Sequence, residues 1–134
     1  MIHSACPMPL APPSLKEVTK EIVDGTLTVL KACEENNVSR LVFTSHYGAI
    51  TNVDELDRPE VFDESCWSDL DKESYINSIH KSKTLAEKAA FDFAKSSTFE
   101  LVTLCPTLLI GPSLMCPRAN NSSDFLRRML KNEL

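Results

Sequence analysis

The sequence predicts an α/β fold, a parallel sheet flanked by helices, in one domain over residues 1–134. Three observations predict it. Short apolar runs alternate with long segments of helical period, and such alternation implies parallel strands joined by right-handed crossovers. Start and stop signals fall at the joints between the two kinds of segment. The length of 134 residues suits one domain, and 43% apolar with 25% charged residues is an ordinary globular composition.

Each element follows in order. MIHSAC reads as the end of a strand. Pro12 and Pro13 precede SLKEVTKEIVDGTLTVLKACEENN, where Ser14 and Glu17 have capping-box spacing. Val18, Ile22, Val29 and Cys33 recur at helical spacing, and Leu15, Leu30 and Ala32 widen the stripe. Gly25 costs about 1 kcal/mol in mid-helix relative to Ala, which a close backbone approach would explain. Asn36 and Asn37 tolerate the left-handed conformation that ends helices.

RLVFTS (40–45) reads as a short buried strand. The acidic stretch 51–74 is loop-like, with Trp67 anchoring it by packing. YINSIHKSKTLAEKAAFDFA (75–94) is a strong helix former, with Leu85, Ala86, Ala89, Ala90 and Phe93 on one side. FELVTLC (99–105) reads as a second buried strand, ended by Pro106, which has no amide to donate. A last helix is expected over about Ser123 to Asn132, with Asp124 near its positive end.

Composition excludes several classes. A net charge of −5 argues against a nucleic-acid partner, which needs clustered excess Lys and Arg. Arg127, Arg128 and Lys131 fit the negative end of a helix dipole instead. No apolar run nears the roughly 18 residues of a membrane span, so no membrane partner is expected. The N-terminal stretch lacks the pattern of a signal peptide. Cys6, Cys33, Cys66, Cys105 and Cys116 show no metal-ligand spacing, so we expect free thiols, a cytoplasmic location and no metal. The sequons at Asn37, Asn120 and Asn121 read as chance matches without a secretory signal.

Ligands of parallel α/β sheets bind beyond the carboxyl ends of the strands. Ala5–Pro7, Ser45–Gly48 and Pro106–Pro112 occupy those ends here. IHSACP, VDGTLTVLKAC, RLVFTSHYGAI, VFDESCWSDLD, KSKTLAEKAAFDFAK and LCPTLLIGPSL resemble successive blocks of an extended short-chain dehydrogenase/reductase. The resemblance is to the dihydroflavonol reductase and cinnamoyl-CoA reductase branch, within the NAD-dependent epimerase/dehydratase superfamily. It runs over nearly the whole chain, from about the family's fourth strand onward. It implies the C-terminal part of a Rossmann-like sheet, lacking the first βαβ units, and an NAD(P)H-dependent carbonyl reductase or alcohol dehydrogenase. With three glycines, Gly25, Gly48 and Gly111, the chain has no glycine-rich phosphate turn. The resemblance implies that this turn belongs to the missing units, along with the residue choosing NAD or NADP.

The resemblance also assigns roles. A tyrosine four residues before a lysine gives its proton to the substrate oxygen, and the lysine holds the nicotinamide ribose. Lys83 falls on the lysine position, but Ile79 stands four residues before it. Tyr75 is eight residues back, about 12 Å along a helix, and cannot replace the phenol without unwinding. Lys81, six positions from Tyr75, lies on a different face. His80 points about 100° away from Ile79. The family's catalytic serine position carries His46, which could donate a hydrogen bond or act as an acid near neutral pH. Ser45, its neighbour, would point the other way, so the two form no dyad.

By resemblance, Lys83 and His46 are the candidate catalytic residues. Ala5 and Cys6 would approach the cofactor's ribose and phosphate side. Thr44 and Ser45 would line the nicotinamide floor, Lys83 would meet the ribose, and Pro106, Thr107 and Leu109 would flank the carboxamide. Cys105 stands where the family often has Asn. The expectation is a degenerate or partial reductase, inactive or weakly active alone, acting on a small carbonyl or alcohol with NADP or NAD. The alternative is a non-catalytic module that pairs, with itself or with a full-length relative, through an open sheet edge. An incomplete gene model is a third reading.

Overall fold

Ser14 opens the first helix as its spacing predicts. Its Oγ accepts from the Glu17 amide at 3.4 Å, and Glu17 Oε2 accepts from the Ser14 amide at 2.9 Å. Such a cap contributes about 1 kcal/mol. At the far end, the Asn36 side chain donates to the Ala32 carbonyl at 2.8 Å. Asn37 takes the left-handed conformation, φ 54°, and the Val38 amide closes the turn on the Cys33 carbonyl at 2.9 Å.

The computed structural model describes residues 1–6, 14–51, 59–71, 75–111 and 121–133, apart from the side chains at 15, 75–78, 121 and 123. Its elements are β1 (Ile2–His3), α1 (Leu15–Glu35), β2 (Arg40–Thr44), α2 (Tyr75–Ala94), β3 (Glu100–Leu104) and α3 (Asn121–Leu130), with a 3-10 turn at Tyr47–Ala49. Cys116 and Asn120 lie outside the described residues. The strands form a parallel sheet in the order β1-β2-β3, with Val42 opposite both Ile2 and Val102.

Successive right-handed crossovers in one direction place α1 and α2 on the same face of this sheet. Leu30 and Cys33 of α1, Leu41 and Phe43 of β2, Ala90 of α2 and Phe99 form the buried cluster between them. Ala86 and Ala90 are fully buried, and their small side chains let α2 sit close to the sheet. Thr19 and Ser82 hydroxyls hydrogen-bond at 2.7 Å where α1 crosses α2.

Four expectations need adjusting. The strands are covered on one face only: Leu41 and Phe43 are buried, whereas Ile2 is 75% and Leu104 53% exposed on the other side. No described helix lies over that side, so the period-2 alternation of side chains shows through. Ala32 is exposed, because one position from Cys33 is about 100° around the helix. Buried Thr26 holds the stripe instead, its hydroxyl satisfied by the Ile22 carbonyl at 2.8 Å. Gly25 meets no close neighbour: a Cβ there would find nothing within 4 Å. The last helix begins at Asn121, earlier than the apolar pattern suggests, and leaves Phe125, Met129 and Leu130 exposed.

Candidate functional site

Beyond Thr44, hydrogen bonds continue between the chains leaving β2 and β3. The Ser45 amide donates to the Leu104 carbonyl at 2.8 Å, and the Tyr47 amide to the Pro106 carbonyl at 3.1 Å. The two strand ends are therefore held side by side. His46 is extended, with φ −158°, and its Nδ1 accepts from the Gly48 amide at 3.0 Å. In the neutral ring this leaves the proton on Nε2.

Three rings gather around this turn. His46 and Tyr47 centroids are 4.4 Å apart, His46 and His80 5.3 Å, and Tyr47 and His80 5.2 Å. Gly48 makes the gathering possible, since a Cβ at that position would lie 2.2 Å from the nearest His80 ring atoms. The Gly48 carbonyl accepts from the Ser68 hydroxyl at 2.8 Å, tying the 59–71 segment to the turn. Trp67 follows, with its ring edge-on to Phe91 at 6.3 Å and beneath the Lys88 ammonium at 5.1 Å. It anchors its segment by packing, as expected.

Burial pushes the His46 imidazole down to about 4, with the nearby His80 and Lys83 charges adding to the effect. The ring is therefore neutral at physiological pH. It can donate a hydrogen bond from Nε2 but cannot act there as an imidazolium acid, which removes the acid role considered from its ordinary titration range.

Lys83 is 8% exposed and makes no hydrogen bond or ion pair with any described residue. It lines a cavity of about 420 Å³ with His3, Ala5, Cys6, Thr26 and Phe43. Burial, and then the Lys83 charge, hold the His3 imidazole below its ordinary value. The cavity brings together Ala5, Cys6 and Lys83. Lys83 is largely buried as a residue, but its ammonium is not sealed from the cavity, and ribose hydroxyls or phosphate oxygens there would accept from it. The residues present thus fit a nicotinamide nucleotide at this point.

Other expected residues sit differently. Ser45 is 4% exposed and its hydroxyl donates to Glu87 Oε2 at 2.5 Å, while Thr44 faces the uncovered side of the sheet. The two do not share one floor. Pro106 is half-buried, Thr107 is exposed and Leu109 is 64% exposed, so these three form an open lip and not a closed wall. Ile79 is 37% exposed, whereas neighbouring His80 is 3% exposed, in keeping with their separation around the helix. The Tyr75 side chain lies outside the described residues.

Sequence reasoning missed Glu87, which is 3% exposed. The available signal was a carboxylate at 83 + 4 on a helix face otherwise completed by Ala86 and Ala90. Its donors are Ser45 and the Cys105 thiol, 3.5 Å from Oε2. Burial and the Glu87 carboxylate push that thiol up to about 11.

Comparison with known proteins agrees with this fold. The family described as 3-beta hydroxysteroid dehydrogenase/isomerase matches residues 1–134. A bifunctional dihydroflavonol 4-reductase/flavanone 4-reductase of Malus domestica is 39% identical over 99% of this chain and 39% of its own length. Tetraketide alpha-pyrone reductase 1 of Arabidopsis thaliana is 34% identical over 99% of this chain and 41% of its own. Among solved structures, Gre2 of Candida albicans in complex with NADPH superposes with a TM-score of 0.76 at 30% identity, covering 97% of this chain and 43% of that one. Vestitone reductase from alfalfa gives 0.72 at 33% identity, over 90% and 37%. The chain thus spans about two fifths of the proteins it matches.

Proposed function

Because the chain belongs to the 3-beta hydroxysteroid dehydrogenase/isomerase family, we propose that it is a nicotinamide-binding, carbonyl-reductase-type unit with impaired proton delivery. The observation that carries this reading is Lys83: a residue 8% exposed, without an acceptor among the described residues, lining a cavity with Ala5 and Cys6. Lys83 would hold the ribose hydroxyls of NADP or NAD, with Ala5 and Cys6 against the ribose and phosphate side. Pro106, Thr107 and Leu109 would form the lip near the carboxamide.

When bound, the nicotinamide supplies a hydride for the carbonyl carbon of a small-molecule substrate. His46 Nε2–H would hydrogen-bond the carbonyl oxygen, as a serine hydroxyl would. Proton transfer to that oxygen is the weak part, because Ile79 has no proton to give and His46 is neutral. The chain alone is therefore inactive or weakly active. No described helix is long and apolar enough to cross a membrane. Cys33, Cys66 and Cys105 form no disulfide among the described residues, in keeping with the reducing, cytoplasmic setting we propose.

Titrating nicotinamide fluorescence with wild type and Lys83→Ala tests the reading. We expect saturable NADPH binding that weakens about tenfold or more, some 1.4 kcal/mol, in the variant. Equal binding would remove Lys83 from the site. Robust, saturable turnover of aromatic or aliphatic carbonyls would overturn the statement of weak activity.

A second reading has its own observation. Among the described residues β1 pairs only with β2, and Ile2, on the strand that forms this sheet edge, is 75% exposed. Such an edge seeks a partner strand, so the chain would act as an assembly module. Light scattering after size exclusion distinguishes the two: a clean monomer at all concentrations counts against assembly.

A further inference from the structure

A second cavity, of about 290 Å³, lies between α2, the end of β3 and residues 62–67. Glu87 and Cys105 line it together with the aromatic side chains of Phe62, Trp67 and Phe91. None of the roles proposed above uses Glu87.

We propose that this cavity binds a small organic cation, an arylalkyl ammonium, whose N–H groups donate to Glu87 while its carbon skeleton lies among Trp67, Phe91 and Phe62. The cavity's partners, charge and size support it. Glu87 is 3% exposed, yet both its described donors are neutral: the Ser45 hydroxyl at 2.5 Å and the Cys105 thiol at 3.5 Å, both measured to Oε2. Oε1 has only the longer thiol contact, 3.7 Å, and so retains acceptor capacity. A carboxylate removed from water calls for a compensating cation.

No described side chain supplies that cation. Lys83, one turn back on α2, is not within ion-pair distance, and Lys81 donates to the Leu70 carbonyl at 2.6 Å. Lys88 lies over Trp67 instead. Asp63 and Glu64 also line the cavity, and their charge favours cations over neutral or anionic guests. The volume suits a guest of about the size of a phenylethylamine. The Cys105 thiol, raised to about 11, stays protonated as a donor and does not add a second negative charge.

Trp67 is the only tryptophan of the chain, so its fluorescence reads this cavity directly. The experiment titrates 2-phenylethylammonium and, as the uncharged match in size, 2-phenylethanol. We expect a saturable response to the ammonium, at least about tenfold weaker for the alcohol. In Glu87→Gln, which keeps the size and an acceptor for Ser45, affinity for the ammonium should fall about tenfold. Equal responses to the two probes, no response to either, or unchanged binding in Glu87→Gln would overturn the proposal. The ammonium–alcohol comparison in wild type decides the matter even if the variant does not fold. Neither probe involves a nicotinamide, so the result stands apart from the reductase reading.

Discussion

The two faces of the sheet are built to different standards. On the helix side, Leu41 and Phe43 disappear beneath α1 and α2, and Ser45, Lys83 and Glu87 extend that buried layer past the strand ends. On the other side, Ile2 and Leu104 stand in solvent and no described helix covers them. Parallel sheets are ordinarily covered on both faces. The lesson is that each candidate functional group gets its character from the covered side. His46 is neutral and the Cys105 thiol is raised because burial shuts water away from them, and Lys83 has no acceptor among the described residues. The lip at Thr107 and Leu109, which extends from the less covered strand, holds nothing comparable.

The sharpest way to break this contrast is Leu41→Ala, which should lose about 2–5 kcal/mol because the site is fully buried and cannot collapse easily. Urea midpoints would show it, and a loss under 1 kcal/mol would mean the core is looser than described. Gly48→Ala should cost about 1–3 kcal/mol, because the new methyl must displace the His80 ring. Near-ultraviolet circular dichroism should change with it, as the Tyr47 ring shifts.

A smaller effect should come from His46. Its folded value, about 4, lies below its ordinary 6.5. The unfolded chain therefore binds the extra proton between those values. The stability His46 contributes is complete above pH 6.5 and is lost as pH falls toward 4. Discounting for partial exposure, the loss is about 1 kcal/mol, and His46→Asn should flatten that stretch of the pH–stability curve. The smallest effect belongs to the open face: Leu104→Ser should stay within about 0.5 kcal/mol in the monomer. A large loss there would show that Leu104 is covered in solution, and would favour the assembly reading.

Much of this was legible in the residues. Ser14 with Glu17, Asn37, and the apolar spacing of α1 and α2 encode local geometry, which depends on near neighbours alone. The strand positions were legible for the same reason. Whether the strands were covered once or twice was not, because RLVFTS reads as apolar whichever faces are packed. Lys83 could be placed by its block, but its lack of an acceptor could not, since that depends on what the other elements bring near it. The tautomer of His46 hangs on one amide two residues later, held by the turn. Glu87 could not be singled out from the sequence, because Ser45 and Cys105 meet it from two different strand ends.

The fit of the His80 ring over Gly48 bears on how such sequences can drift. Two positions far apart in the chain share one small volume, so neither is free to change alone. A lineage that enlarges residue 48 must first shrink residue 80, and one that keeps an imidazole at 80 inherits an obligatory glycine. Across homologues the two positions should vary as a pair, leaving a trace of this contact in sequences whose structures are unknown.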